Sequence, residues 1–494
     1  MVRQSDSLMT SSPPSAHWSL IIIGTGFAGL SLALQRMNGR QEDFIVLEQA
    51  QSPGGTWRDN RYPGCACDVP SHLYSLSGAP PWDWQRKYAE APDIEAYLAH
   101  LAHSLGSRIR YRAQVTSASW QAHKQLWQVE LNDGSCLTCR FLVAGVGPLS
   151  EPAWPDFPGV ENFTGPLLHT ARWSKNQDLK GQRVGLIGTG ASAIQVGPAL
   201  APEVAQLIIF QRTAPWVVDR KDHPYTPGIR RLLRTSPFLR RAYRTWLYFT
   251  RELKGLAFLR PNLMRKIEAY VRRDLTHKVV NPRLRQKIMP KTPMGCKRIL
   301  LSDTWWSTLE FPHVTLETDP IHHIEATHLV TETGTRYALD ALVLATGFRY
   351  QDNPMARLFK GEEGITLEEF WKEQRSAYLG MMMPSFPNFF LLTGPFSGLG
   401  HNSIVFMIEC QTRWIQSALA HVAALGKSEF KVRAQAYAAF TNEMNRRSKN
   451  SLWMQGCQSW YLDPEGRNTA LWPGLSLSYW WRTRRFNAQD FEYA

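Results

Sequence analysis

The chain has 494 residues, 44% hydrophobic and 20% charged, which suits a globular protein of two or three domains with a large core. Its 56 Lys and Arg against 42 Asp and Glu leave a formal charge of +14. That excess favours anionic ligands such as dinucleotides, and the recognised nucleic-acid modules are missing. Seven cysteines, an odd number, speak against a disulfide framework and fit a reducing cytoplasm.

Residues 1–18 read as a loose polar tail without the apolar core and cleavage site of a signal peptide. The apolar stretch from Leu20 to Leu34 is split by three glycines and is too short to cross a bilayer. It reads instead as a strand, Leu20–Ile23, a turn, Gly24-Thr25-Gly26-Phe27-Ala28-Gly29, and a helix. This arrangement aims backbone N–H groups and a helix N-terminus at a pyrophosphate. Twenty-four residues past Gly24, Glu48 ends the strand Phe44–Leu47. A carboxylate there accepts a bond from a ribose 2′-OH, so this turn is expected to hold the adenosine of FAD.

A long loop from Gln51 to Trp84, a helix near Asp93 to Leu105 and a small meander follow. In the meander, strands Leu126–Leu131 and Cys136–Val143 are joined by Asn132-Asp133-Gly134, and Phe141 to Gly147 returns to the first sheet. Cys136 and Cys139 form a C-x-x-C, but positions i and i+3 of a strand face opposite sides. They and Cys65 and Cys67 are read as incidental, since a metal site wants four ligands. A link rich in proline (Pro148, Pro152, Pro155, Pro158) ends the unit.

The second unit repeats the scheme: strand Val184–Ile187, then Gly188-Thr189-Gly190-Ala191-Ser192-Ala193. At the same later position, after Leu207–Phe210, stands Arg212. An arginine accommodates a 2′-phosphate, so this turn is expected to hold NADPH. Between Asp219 and Pro290, apolar and aromatic residues alternate with Arg230, Arg231, Arg234, Arg240, Arg241, Arg244 and Arg251. The simpler reading is a helical lid whose arginines face solvent or the NADPH phosphates; the same composition suits a membrane surface. Asp340 to Phe348 reads as a buried strand closing the second sheet. Phe389 to Pro395 reads as a last strand aimed at the flavin, before a long helix from Ser403 to Leu425.

The fold class is therefore α/β, with two Rossmann-like dinucleotide-binding domains, for FAD and NADP, and a helical insertion. Residues 19–150 and 346–494 form the FAD part. Residues 151–218, with the linker, and 291–345 form the NADP part. The insertion spans 219–290.

Between the two turns lies Phe163-x-Gly165-x-x-x-His169-x-x-x-Trp173. With Gly54-Gly55-Thr56-Trp57, Arg61-Tyr62-Pro63-Gly64, Cys67-Asp68-Val69, Gln211-Arg212-Thr213, Cys296-Lys297-Arg298, Ala345-Thr346-Gly347-Phe348 and Ser459-Trp460-Tyr461, the chain resembles the flavin-dependent Baeyer–Villiger monooxygenases. The fingerprint usually continues with Pro or Asp, where this chain has Ser174. The resemblance implies that NADPH reduces FAD, that the flavin takes up O₂ as a C4a-peroxyflavin, and that a ketone becomes an ester or lactone. The flavin carries the oxygen chemistry and the protein supplies binding, orientation and electrostatics.

On the same resemblance, Arg298 is the fixed cation facing the developing negative charge, and Asp68 pairs with it and holds it in place. An ion pair that merely joins two domains is the structural alternative. Lys297 beside Arg212 would clamp the 2′-phosphate. Trp57 and Tyr62 pack against the flavin or belong to the core, and Trp460 resembles the tryptophan touching the nicotinamide ribose. Phe27, Thr56, Tyr74, Val115, Gln195 and Thr213 complete the cofactor-binding candidates. His169 and Trp173, four residues apart, would share one face of a helical turn and either couple domain movement to cofactor state or pin the linker. Competing readings are a heteroatom (S/N) monooxygenase, a flavoprotein disulfide reductase and a non-catalytic nucleotide-binding flavoprotein at a membrane. Cys65-Ala66-Cys67 is no redox C-x-x-C, which counts against the second. Intact Asp68 and Arg298 count against the third.

Overall fold

The computed structural model describes residues 17–41, 43–174 and 176–494. Most of the expected tail, residues 1–16, lies outside them, and its last two residues already belong to the first strand. The first sheet contains β1 (His17–Ile23), β2 (Phe44–Leu47), β3 (Ile109–Arg110), β4 (Val115–Gln121), β5 (Leu126–Leu131) and β6 (Cys136–Ala144). Their spatial order is β4-β5-β6-β1-β2-β3, with Phe359–Lys360 outside β4 and Phe389–Leu391 also paired to β6. β1 runs parallel to β2 and β6, with Ile21 opposite Ile45 and Leu142. Leu20, Ile21 and Ile22 are fully buried, as a parallel strand covered on both faces requires. On the edge away from β1, β6 serves two partners in turn: its first half pairs with β5 antiparallel, and its end with Phe389–Leu391 in parallel.

Helix α1 (Phe27–Asn38) packs between α3 (Ala91–His103) and the long helix Ile404–Ala424, while the short α2 (Thr56–Asp59) follows β2. Phe389–Leu391 joins the first sheet as expected but is not the chain's last strand: Phe430–Val432 and Phe491–Tyr493 pair further on.

The second sheet contains β7 (Leu167–His169), β8 (Arg183–Ile187) and β9 (Gln206–Phe210), with α4 (Ala193–Leu200) crossing between β8 and β9. All neighbours are parallel in the order Val314–Glu317, β9, β8, Ala341–Leu344, β7. Ala341–Leu344 was expected to close this sheet but lies inside it. The edge is β7, which is too short to show any period of its own.

The insertion consists of α5 (Pro227–Thr235), α6 (Pro237–Phe258), α7 (Pro261–Lys278) and α8 (Pro282–Ile288). Each starts on a proline, whose missing N–H forfeits no helical bond at that position. Thr226, Ser236 and Asn281 cap three of them through their side-chain oxygens. Against the expectation from cysteine count, Cys296 and Cys457 are disulfide-bonded across 161 positions, with Cα atoms 6.2 Å apart. Among the described residues no helix is long and apolar enough to cross a membrane.

Candidate active site

Both glycine turns follow one backbone plan. The Gly24 N–H donates to the Leu47 carbonyl at 2.8 Å, and the Gly188 N–H to the Phe210 carbonyl at 3.0 Å. Gly24 has φ +98° and Gly188 φ +111°, the left-handed range that only glycine enters freely. A Cβ on Gly24 would sit 2.6 Å from the Gly145 carbonyl oxygen, and one on Gly188 equally close to that of Ala345. Neither α1 nor α4 carries a side-chain cap or an acidic residue in its first turn. Their leading N–H groups are therefore free to face an anion.

The surroundings of the two turns differ. In the first, Gly26 and Gly55 face each other so closely that a Cβ on Gly55 would lie 3.3 Å from the Gly26 Cα. A Cβ on Gly29 would lie 1.9 Å from the Gly24 carbonyl oxygen. Below, Phe27 meets Tyr74 edge-on at 4.9 Å and Tyr74 meets Trp57 at 5.6 Å; Trp57 is buried and Thr56 exposed. Glu48 is buried beside the turn, and its carbonyl accepts from the Ala113 N–H at 2.9 Å, two residues before buried Val115 opens β4. Its Oε2 accepts from the Thr25 N–H at 3.0 Å and from the Thr25 hydroxyl, and its Oε1 from the Ala50 N–H and Arg58 Nη1, both at 2.9 Å. Sequence reading named Trp57 and passed over Arg58, whose adjacency to the Gly54-Gly55 turn was the available signal.

In the second turn Gly190 and Ala191 are exposed, and a Cβ on Gly190 would meet nothing within 4 Å. Ser192 opens α4, and Ala193 is fully buried. The Thr189 hydroxyl donates to the Thr213 carbonyl at 3.2 Å, fixing the loop that carries Arg212. Arg212 is exposed and Lys297 half-buried. Burial, and then the Arg212 charge, lower the Lys297 ammonium below its ordinary value. Among the described residues no carboxylate pairs with either cation, so the structure brings two positive groups together without compensation.

Gln195 does not stand free at the second turn. Its amide accepts from the Tyr62 hydroxyl at 2.9 Å and the Ala66 N–H at 3.3 Å, and donates to the Ala66 carbonyl at 2.9 Å. Tyr62 is buried by this contact rather than presented as a platform. The same loop passes so close that a Cβ on Gly64 would lie 2.7 Å from the Gln195 carbonyl oxygen.

Two residues beyond Ala66, Asp68 meets Arg298. Nε donates to Oδ2 at 3.0 Å and Nη2 to the same oxygen. Of the two side chains, 28% and 36% remain accessible, yet protein encloses them on the other sides and screens their attraction only weakly. Burial pushes the Asp68 carboxyl up, but Arg298, with Arg251 behind it, holds it below the ordinary value. Asp68, against the opposing effect of burial, raises the Arg298 guanidinium further. Tyr461 lies buried beside Arg298; burial raises its hydroxyl's pKa and the Arg298 charge works against that. Trp460 is 42% exposed, edge-on to Tyr461 at 4.6 Å and Tyr350 at 5.1 Å. The Cys296–Cys457 bond links the chain two residues before Arg298 to the chain three residues before Trp460. Its sequence separation gave no signal of this.

The fingerprint has a steric basis. A Cβ on Gly165 would lie 2.2 Å from the Asp340 carbonyl oxygen, so the linker threads past the strand Ala341–Leu344 only as glycine. His169 ends β7, and a 3-10 turn, Thr170–Arg172, separates it from Trp173, so the two do not share an α-helical face. His169 is buried, and burial, then Arg172, push its pKa down to about 4.

Residues 138–446 match the flavin-binding monooxygenase-like family, and residues 21–236 the pyridine nucleotide-disulphide oxidoreductase family. The chain is 40% identical to a Baeyer–Villiger monooxygenase of Streptomyces coelicolor, over 96% of this chain and 92% of the relative. An oxidized steroid monooxygenase bound to NADP superposes with a TM-score of 0.87 at 31% identity, covering 97% of this chain and 99% of that one. The OTEMO complex with FAD and NADP gives 0.87 at 26% identity, over 98% and 100%. The disulphide oxidoreductase likeness stops at the nucleotide-binding framework. Cys65 and Cys67 are buried and unbonded, and burial raises both thiols, Cys65 to about 11, which is opposite to a reactive thiolate.

Proposed function

The chain belongs to the Baeyer–Villiger monooxygenases, and from that premise we propose that it uses FAD, NADPH and O₂ to insert one oxygen atom beside the carbonyl of a small ketone, giving an ester or lactone. The Arg298–Asp68 pair carries this reading, because it joins a fixed cation to the loop that follows the first glycine turn.

The residues fit both cofactors. The Gly26–Gly55 gap, which a Cβ would fill, and the uncapped start of α1 suit the FAD pyrophosphate. Glu48 would accept a ribose hydroxyl in place of the Thr25 hydroxyl, with Arg58 and the two N–H groups holding its carboxylate. Phe27, Trp57, Tyr74 and Val115 would line that site. The uncapped start of α4, from Gly188 to Ala193, suits the second pyrophosphate, and unpaired Arg212 and Lys297 suit a dianionic 2′-phosphate. Trp460 would cover the nicotinamide side.

When bound, the flavin supplies electron storage and oxygen activation. Arg298 supplies a charge that no working pH removes, where a buried lysine would shed its proton. Asp68 takes up the Nε hydrogen and one hydrogen of Nη2, so the two Nη1 hydrogens and the second on Nη2 are left to donate to an oxyanion developing at the substrate carbonyl. Asp68 fixes the guanidinium plane and keeps the pair close to neutral overall, so the site need not bury a lone cation.

The experiment is a ketone panel read by mass spectrometry for products one oxygen heavier, run with Arg298→Ala beside the parent. The variant should still bind FAD and yield no ester. Ester formation at the parent's rate would remove Arg298 from the reaction, and oxidation of sulfides or amines with no ketone product would favour the heteroatom enzyme.

A further inference from the structure

The insertion turns toward water a surface that its contacts with the rest of the protein do not use. On α6, Phe238, Trp246, Phe249 and Leu253 are 78, 59, 53 and 66% exposed. At about 100° per residue, their spacing confines them to roughly a quarter of the helix circumference. The opposite side is occupied. Leu247, Tyr248 and Phe258 are buried there, Arg244 bonds Glu409 at 3.0 Å and Arg251 bonds the Tyr88 hydroxyl at 2.8 Å. A solvent-facing helix normally reserves its outer face for polar residues; α6 has an apolar stripe there as well.

The charge on α5 and α6 is one-sided. From Thr226 to Ile267 the only acidic residue is Glu252, which is buried. Arg231, Arg241, Arg260 and Lys266 are exposed and have no ion pair among the described residues. Arg230 and Arg244, by contrast, are bound inward to Asp83 and Glu409. The lid reading, with arginines facing solvent or the NADPH phosphates, allows for the unpaired cations but not for the inward pairs of Arg230 and Arg244 or for the apolar stripe on the outer side.

We propose that this face docks on an anionic lipid bilayer, with α6 lying in the headgroup plane. The aromatic and leucine side chains would enter the acyl boundary, and the unpaired cations would meet lipid phosphates. A second copy of the chain fits less well, since a two-fold contact sets each patch against itself and so brings like charges together. A nucleic acid would satisfy the cations and leave Phe238 and Leu253 in water. Docking would place the enzyme where apolar ketones dissolve, and it does not depend on which ketone is used.

The test is co-sedimentation of the full-length, FAD-loaded protein with phosphatidylcholine vesicles, with and without phosphatidylglycerol. Binding is expected only with the anionic lipid and should fall as salt rises. Combined Phe238→Ser, Phe249→Ser and Leu253→Ser should weaken it roughly tenfold or more, and Arg231→Glu with Arg241→Glu comparably. Flavin absorbance and melting temperature report that these surface variants stay folded. Absence of binding to phosphatidylglycerol vesicles, equal binding to neutral ones, or parent-like binding by both variants overturns the proposal. Sedimentation velocity showing a dimer that the apolar substitutions dissolve assigns the face to a second copy and overturns it too.

Discussion

The two glycine turns share their strand, their left-handed glycine and even the carbonyl that forbids a side chain there, yet one is a closed socket and the other an open shelf. Around Gly26 the chain folds over itself: Gly55 approaches from the next loop, Gly29 lies against Gly24, and each Glu48 oxygen accepts two bonds from protein. Around Gly190 there is space, and the cations that follow have no carboxylate partner among the described residues. Backbone geometry makes a phosphate cradle, while the second shell of contacts decides whether the ligand is enclosed or admitted from solvent. A resident flavin suits the first arrangement and an exchanging nicotinamide nucleotide the second.

The largest expected effect is at the closed turn. Gly29→Ala must displace the Gly24 carbonyl, because its Cβ would start 1.9 Å away. Such overpacking should cost about 3 kcal/mol or more and empty the flavin site. A purified variant with the parent's yellow colour and melting temperature would show the socket to be looser than it looks. Acid comes next and should strike both halves. Burial pushes His72, in the first, and His169, in the second, down to about 4 from 6.5. The unfolded chain takes up protons as pH falls below 6.5 while the folded one refuses them until about 4. The histidines' share of stability should therefore fall across that window, by roughly 3 kcal/mol for each, and level off below it, where carboxylates held low in the folded chain, such as Asp68, take over the decline. Urea titrations from pH 7 to 4 check this, and His169→Leu should flatten about half of the decline.

At the open turn, Arg212→Ala and Lys297→Ala should each raise KM for NADPH about tenfold, leaving that for NADH nearly unchanged. Equal losses with both nucleotides would mean that the paired cations do not read the 2′-phosphate. The smallest effect should be Gly190→Ala. With open space around the Cβ and no left-handed φ, stability should move by less than about 0.5 kcal/mol. A drop comparable to that of Gly29→Ala would erase the contrast between the turns.

Much of this was legible because the decisive residues answer to local geometry. Gly24 and Gly188 are imposed by φ and by a neighbouring carbonyl, and uninterrupted runs such as Leu20–Ile23 announce buried parallel strands. Glu48 and Arg212 follow from strand ends. What stayed hidden depends on parts far apart in the chain. β7 is three residues long and exists only because Leu342 lies beside Leu167. Arg58 matters through a carboxylate ten residues upstream. Cys296 and Cys457 pair over a distance that carries no pattern. Sequence gave the mixed basic and aromatic character of α6, but not which side would be left uncovered, since that is settled by the loops and helices packed against it. His169 and Trp173 were misjudged because four-residue spacing implies a shared face only in an α-helix, and the chain takes a tighter turn.

Gln195 gives the molecule a mechanical property. Its amide grips the Ala66 peptide from both edges, in the way one strand grips the next, while its own backbone forms part of the turn that leads α4. Ala66 is two steps from Asp68. A nucleotide pulling on the leading turn of α4 therefore pulls, through one side chain, on the lever that steers Arg298. Gln195→Ala would cut that linkage while sparing both cradles.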